Sequence, residues 1–226
     1  QNILLWTRCG YKRARLNYAY KLLRGRDFET EIYSEELRVK QFKKLENVLD
    51  KVLNVQTWHD FLKCIEAAGF VNKSLISSQN AVVYTYALYL IGKHEYGMKE
   101  TNLRKLIAKW FFMSSVSGYY TSSPETVVEG DLADLRNVKT EGEFTALLES
   151  KIAAVFTNDY FNVTLPNDLA TSASRSPAWF GYCAALNILS AKVLFSTLTT
   201  RELFSPTATG TKSALERHHL FPKAYL

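Results

Sequence analysis

The chain has 226 residues, a formal net charge of +6, and 47% hydrophobic and 13% aromatic residues. This length allows one large domain or two small ones with a sizeable core, and the composition excludes wholesale disorder. No apolar run approaches the roughly 18–20 residues that span a bilayer, so we expect no membrane segment. The three cysteines are odd in number and widely separated, which predicts buried thiols in a reducing cytoplasm: Cys9, Cys64 and Cys183.

The positive charge is concentrated at the start of the chain. Residues 1–26 contain seven lysines and arginines and no acidic residue, which leaves 21 basic residues against 22 acidic ones elsewhere. Such a cluster can neutralise phosphates and attract a nucleic acid. We therefore expect nucleic-acid contact through Arg8, Lys12, Arg13 and Arg15. The alternatives are an ordinary solvated helix face and a docking face for another domain.

The first helix is predicted to lie within the basic stretch and to end at Gly25. Its apolar residues recur at i, i+3, i+4 and i+7, which places them on one buried face: Leu16, Ala19, Tyr20 and Leu23. Tyrosines in the same stretch suit either the core or a platform on which nucleic-acid bases stack, and the sequence leaves both open: Tyr11, Tyr18 and Tyr20.

Apolar periodicity predicts four further helices in the first half of the chain. They are expected at residues 35–53, 58–69, 79–91 and 103–111. The third of these is apolar nearly all round, which favours a central position. The fourth has the cleanest amphipathic pattern, with a predicted core face of Leu103, Leu106, Ile107, Trp110 and Phe111.

Two helix starts mark the second half of the chain. Ser123 is predicted to cap one helix with Pro124 in its first turn, and Thr140 and Glu143 form a capping box before another. Residues 157–175 are polar and predict a loop with at most one short turn. Charged residues between the two starts are expected to form a solvated helix face and not a catalytic carboxylate pair: Glu129, Asp131, Asp134 and Arg136.

A final apolar helix is predicted to open at Ser176-Pro177, and Val193 to Phe195 either extend it or begin its successor. Residues 204–213 combine Pro, Gly and many hydroxyls, which is typical of a linker. The sequence therefore predicts an all-α fold, an orthogonal or bundle-like helical domain at residues 1–204. Residues 205–226 are predicted to be a linker and the beginning of a second domain.

The last stretch contains two adjacent histidines, His218 and His219, followed by Pro222. Successive side chains of a strand point to opposite sides, so the two imidazoles cannot serve one face of a strand. At the end of a strand, however, one imidazole can bind a cation while the other accepts a proton from water. The alternative is an exposed histidine pair without a catalytic role.

The segment Glu216-Arg217-His218-His219-Leu220-Phe221-Pro222 resembles the opening of the histidine–metal finger of HNH nucleases, in the form found in the GmrSD-type restriction endonuclease family. Two upstream segments resemble that family's helical middle region, in the same order: Lys109-Trp110-Phe111-Phe112-Met113 and Gly118-Tyr119-Tyr120-Thr121-Ser122-Ser123-Pro124-Glu125. The resemblance extends over most of the chain. The Asp-Gly-Gln-Gln-Arg signature of the family's ParB-like upstream domain is absent from this sequence.

The resemblance implies a function in bacterial defence, the cleavage of foreign DNA, modified DNA included. It implies that His219 is the general base that activates water, and that His218 occupies the adjacent metal-ligand position. The complete protein would use a divalent metal ion such as Mg²⁺, with a nucleotide-using domain upstream and a nuclease domain downstream in the same polypeptide. The Asn and the last His of the finger would follow Leu226, so we expect this piece to bind no metal and to be inactive alone.

A non-enzymatic helical module, which interacts with a partner or contacts DNA, is the alternative function. Other chemistry is disfavoured by missing residues. His59-Asp60 lacks the upstream histidine that helical metal-dependent phosphohydrolases need, so His59 is expected at the surface. Neither a Walker loop nor a Gly-x-Gly-x-x-Gly motif is present, so a nucleotide pocket of either kind is not expected.

Overall fold

The computed structural model describes residues 10–171 and 176–206 of the chain. Within these ranges the prediction of an all-α fold is confirmed, with ten α-helices and no strand. None of the helices in the described ranges is long and apolar enough to cross a membrane. The helices are α1 Leu16–Leu23, α2 Glu35–Val52, α3 Val55–Ala67, α4 Gln79–His94, α5 Glu100–Val116, α6 Pro124–Asp134, α7 Glu141–Val155, α8 Leu165–Thr171, α9 Pro177–Ile188 and α10 Thr200–Phe204.

Side-chain caps explain where many of these helices begin. Ser78 accepts a hydrogen bond from the third residue of α4, and Ser176 does the same for α9. Thr140 and Glu143 form the predicted capping box at the start of α7. The prediction of a side-chain cap is wrong for Ser123, because its backbone is left-handed (φ 46°) and its side chain makes no capping hydrogen bond. Its neighbour Pro124 nevertheless begins α6 as expected.

Helix α5 lies at the centre of the fold and packs against α3, α4, α7 and α9. Its predicted core face is confirmed, since all five residues are buried: Leu103, Leu106, Ile107, Trp110 and Phe111. Helix α4 is buried on nearly all sides, which confirms the central position predicted from its composition. These two helices form the middle of a single hydrophobic core that includes the buried cysteines Cys64 and Cys183.

A polar network crosses this core beside α5. The Trp110 Nε1–H donates to the Tyr120 hydroxyl (3.2 Å), which donates to Asp131 Oδ2 (3.2 Å). The Tyr119 hydroxyl donates to Asp131 Oδ1 (3.0 Å), and Lys151 forms an ion pair with the same carboxylate (3.0 Å). The prediction of a solvated face is therefore wrong for Asp131, which is buried. That burial raises the pKa of the carboxyl group despite its hydrogen bonds and its ion pair.

Residues 157–171 are more helical than their polar sequence predicts. A π-helical turn spans Tyr160–Thr164 and leads directly into α8. Residues 193–195 neither extend α9 nor begin its successor, because they lie in a turn closed by an isolated bridge between Lys192 and Thr199. Helix α10 ends at Phe204, the first residue of the predicted linker. Residues 207–226, with most of the predicted second domain, lie outside the described residues.

Candidate nucleic-acid interface

Helix α1 lies within the basic stretch, between Arg15 and Arg24, and packs against α2. It begins after Arg15, whose extended backbone (φ −69°, ψ 142°) makes it the N-cap residue, and Arg15 makes no side-chain capping bond. It ends before Gly25, whose positive φ of 66° suits glycine and confirms the predicted stop. The backbone then turns back, with a bridge between Arg26 and Tyr33. The helix is therefore a short rod that holds its flanking arginines at defined positions.

The buried face of α1 differs from the predicted one. Ala19 and Leu22 face the core, whereas Leu16 is 48% exposed and Tyr20 is 56% exposed. Leu16, Tyr20 and Arg24 follow one another at i, i+4 and i+8, so they line one side of the helix. We call Leu16, Tyr20 and Arg24 the exposed stripe. It combines an aromatic ring with a cation, which is typical of surfaces that bind nucleic acids.

Lys12 has a structural position and not a surface one. Its side chain is buried, and its ammonium group donates to Glu95 Oε1 (2.5 Å), to the Tyr96 hydroxyl (3.1 Å) and to the Leu135 carbonyl (2.9 Å). Its backbone is left-handed (φ 50°), a conformation that a non-glycine residue adopts only when its surroundings hold it. All three donor positions are occupied, so we leave Lys12 out of the set of phosphate contacts.

Arg13 is also largely held within the protein. Its guanidinium lies 4.7 Å from the centre of the Tyr18 ring, and one amino group pairs with Glu29 at 2.8 Å. The second amino group is 3.8 Å from Glu129, whose other oxygen accepts the Ala14 backbone N–H at 2.5 Å. Two carboxylates thus neutralise Arg13, which weakens its attraction for a phosphate.

Arg15 and Arg24 are the exposed arginines at the two ends of α1. Neither forms an ion pair with a residue in the described part of the chain. Of the predicted contact residues, Arg15 is therefore the one that is placed to meet a ligand in solution. Arg8 lies outside the described residues. Arg24 was part of the basic stretch but was not singled out, because the sequence did not show which arginines would lack internal partners.

A cleft of about 500 Å³ opens between residues 10–12, α2 and the end of α4. Lys44 and Lys51 lie two helical turns apart on α2 and both line this cleft. His94, at the end of α4, also lines the cleft and is exposed. His59, the other histidine of the described residues, is exposed as predicted but does not line the cleft. Partial burial lowers the pKa of His94, and the positive charges of Lys51 and Lys93 lower it further. The cleft therefore has a positive electrostatic potential.

His218 and His219 lie outside the described residues, so their proposed roles stay predictions. Within residues 10–171 and 176–206, no group of three or more His, Cys, Asp or Glu side chains is arranged to hold a metal ion. Compared with known proteins, the chain matches no family model, no curated protein and no solved structure. The site must therefore be interpreted from its own geometry.

Proposed function

We propose that this chain is the helical part of a GmrSD-type restriction endonuclease and that α1 contacts the DNA. The observation that carries the DNA contact is the exposed stripe, with Tyr20 between Leu16 and Arg24 on the open side of α1. An exposed aromatic ring beside a cation offers a face on which a nucleic-acid base can stack. The resemblance of the middle segments to that family supports the wider assignment.

The spacing of the two arginines suits a nucleic-acid backbone. Arg15 and Arg24 are nine residues apart, which corresponds to about 13 Å along a helix axis. One strand of a duplex advances about 3.4 Å per phosphate, so this rise spans about four nucleotides. Nine residues are also about half a turn around the helix axis, so Arg24 reaches a phosphate from the side of the exposed stripe, whereas Arg15 reaches round from the start of α1. Tyr20 lies between them and can stack on a base where the duplex is open. The stripe would therefore orient DNA with little dependence on sequence.

Salt-dependent binding tests the DNA contact. Fluorescence anisotropy with a labelled duplex and a labelled single strand would measure affinity over a range of salt concentrations. We expect Arg15→Gln and Arg24→Gln each to reduce the slope of log affinity against log salt by about 1. Tyr20→Ala should weaken binding of the single strand by about 1–3 kcal/mol and affect the duplex less.

Lys105→Gln is the matched control, because Lys105 is exposed on α5 and its substitution removes the same charge away from α1. If Lys105→Gln lowers affinity and slope as much as the two arginine variants do, binding follows net charge alone and the proposed interface is refuted. The same conclusion follows if the unaltered protein binds neither DNA.

The nuclease part of the proposal depends on the resemblance of the terminal segment. There His219 would accept a proton from water, and His218 would contribute to holding a divalent metal ion that supplies Lewis-acid chemistry at the phosphodiester. The parent polypeptide should nick plasmid DNA in the presence of Mg²⁺, and His219→Ala should abolish nicking while leaving DNA affinity unchanged. Nicking that survives this substitution would contradict the assignment.

A DNA-contacting module without catalytic activity is the second candidate function. The observation in its favour is that the whole exposed stripe lies within α1 and its C-cap, so the DNA contact needs no residue of the terminal segment. Absence of nicking by the parent polypeptide, combined with binding that depends on Arg15 and Arg24, would select this candidate.

A further inference from the structure

The cleft between residues 10–12, α2 and α4 is enclosed by parts of the chain that are distant in sequence. Among the described residues, four cationic side chains and one carboxylate line it, a formal excess of three positive charges while His94 is neutral. The aromatic ring of Tyr11 and the side chain of Val48 complete its walls. The charged groups are Lys12, Lys44, Lys51, Arg136 and Glu95.

Two of the four cations have carboxylate partners within the protein. Glu95 neutralises Lys12 at 2.5 Å, and Arg136 pairs with Glu129. Lys44 and Lys51 form no ion pair with a residue in the described ranges, although Glu95 interacts with Lys44 at longer range. The uncompensated charge of the cleft therefore lies on one face of α2.

Lys44 is exposed, and its ammonium group also contacts an aromatic ring. The ammonium group lies 4.1 Å from the centre of the Tyr11 ring, so one side of it faces an aromatic surface instead of water. Partial burial is the main cause that lowers the pKa of Lys44, and the positive charges of Lys40 and Lys12 lower it further, while Glu95 opposes the shift. An anion in the cleft would compensate this charge.

We propose that this cleft binds a phosphoryl anion, with Lys44 and Lys51 as its ligands. Residues seven apart on a helix are separated by about 10.5 Å along its axis, and two flexible lysine side chains can converge over that distance on two neighbouring phosphoryl groups. A pyrophosphate and two consecutive phosphates of a nucleic-acid strand share this chemistry. None of the residues of the exposed stripe lines the cleft, so this proposal can be tested independently of the proposed function.

His94 provides a readout inside the same cleft. Charged and titratable groups from each neighbouring element surround the cleft or lie next to His94 in the chain. They are Tyr11 and Lys12 of the initial segment, Lys44 and Lys51 of α2, Lys93 and Glu95 next to His94, and Arg136 after α6. A bound phosphoryl anion would offset the positive charges that lower the pKa of His94. That pKa should therefore rise on binding, and by linkage the affinity for the anion should increase as the pH falls through it.

Calorimetric titration with inorganic pyrophosphate tests the pocket, together with the NMR titration of the His94 ring. We expect binding, a higher His94 pKa in the complex, and at least roughly tenfold weaker binding for Lys44→Gln and for Lys51→Gln, because each removes a charge-assisted contact. Lys43→Gln is the matched control: it removes the same charge one residue away, from an exposed side chain that lines no part of the cleft. Binding that is absent, or lost equally in Lys43→Gln, would overturn the proposal.

A second titration with a short single strand identifies the source of the phosphoryl groups. If the strand competes with pyrophosphate and Lys44→Gln weakens both, the pocket holds the backbone of a nucleic acid. If pyrophosphate binds and the strand does not compete, the pocket holds a free phosphorylated ligand. If Arg24→Gln loses binding of the strand but still binds pyrophosphate, the α1 interface and the pocket are two independent binding sites. Pyrophosphate bound without any change in the His94 pKa would place the anion elsewhere and refute the assignment.

Discussion

Substitution of Gly69 by alanine tests how α9 is seated on the rest of the domain. Gly69 follows α3 with φ +85°, and a Cβ atom there would lie 2.1 Å from the Ala184 carbonyl oxygen of α9. The obstructing atoms belong to a helix backbone, so no side-chain rotation relieves the clash. The Gly69 carbonyl also accepts a hydrogen bond from Asn187 Nδ2 at 2.8 Å. Gly69→Ala therefore forces α9 away from α3.

The expected loss of stability follows from three contributions. Left-handed backbone costs an alanine about 1–2 kcal/mol. Displacing a packed helix typically costs about 1–3 kcal/mol, and the lost hydrogen bond adds about 1 kcal/mol because the Asn187 amide is buried. Together these give a decrease of about 4 kcal/mol in the free energy of unfolding, a large part of the roughly 5–15 kcal/mol that stabilises a typical domain.

Gly97→Ala is the matched control, since Gly97 also has a positive φ (60°) but no atom lies within 4 Å of the place that its Cβ would take. Equilibrium urea unfolding, followed by far-UV circular dichroism, should show a loss of about 1 kcal/mol for this variant. Asn187→Ala removes the hydrogen bond alone, should cost about 1 kcal/mol, and keeps the test informative if Gly69→Ala does not fold. Equal losses for Gly69→Ala and Gly97→Ala would show that α9 does not pack on Gly69.

Two further predictions concern buried groups. Burial raises the pKa of the Cys64 thiol to about 12, so in a Cys9→Ser, Cys183→Ala background Cys64 should react with a thiol reagent at pH 8 roughly 1,000-fold more slowly in the native protein than in urea. Protection of only tenfold would contradict its burial. Asp131→Ala leaves the Lys151 ammonium and two tyrosine hydroxyls without their shared acceptor, so urea unfolding should show a loss of about 3–5 kcal/mol. Asp134→Ala, which removes the exposed partner of Lys151, should cost about 0–1 kcal/mol. Because the pKa of Asp131 is raised, ionisation of its carboxyl group opposes folding. The protonated group contributes to the free energy of unfolding below the ordinary carboxyl pKa, and this contribution is lost as the pH rises through the raised pKa. Asp131→Asn should remove this pH dependence.

Local signals in the sequence were sufficient for most helix positions. The capping box of Thr140 and Glu143 and the serine before Pro177 depend on residues three or four apart, so they can be recognised without tertiary contacts. The face of α1 could not be assigned in the same way. An eight-residue helix with apolar residues on two sides gives no clear period, and its packing partner α2 decides that Ala19 and Leu22 turn inward.

The candidate sites were harder to predict because their partners are distant in sequence. Lys12 and Glu95 are 83 residues apart, and nothing near Lys12 indicates that its charge is neutralised. Lys44 and Lys51 resemble ordinary solvated lysines of an amphipathic helix until the initial segment and His94 close the cleft around them. Asp131 was expected on the surface and is buried, because Lys151 and the tyrosines that follow α5 provide partners that its own neighbours in the sequence do not indicate.

The hydrogen bond between Trp110 and Tyr120 joins the two middle segments, residues 109–113 and 118–125. A protein that kept one of these aromatic residues and lost the other would leave an indole N–H or a phenol unmatched in its interior. The two segments therefore depend on each other in the folded protein. A likeness to another protein that is confined to these two stretches would therefore indicate a shared helical scaffold and would carry no information about a shared activity.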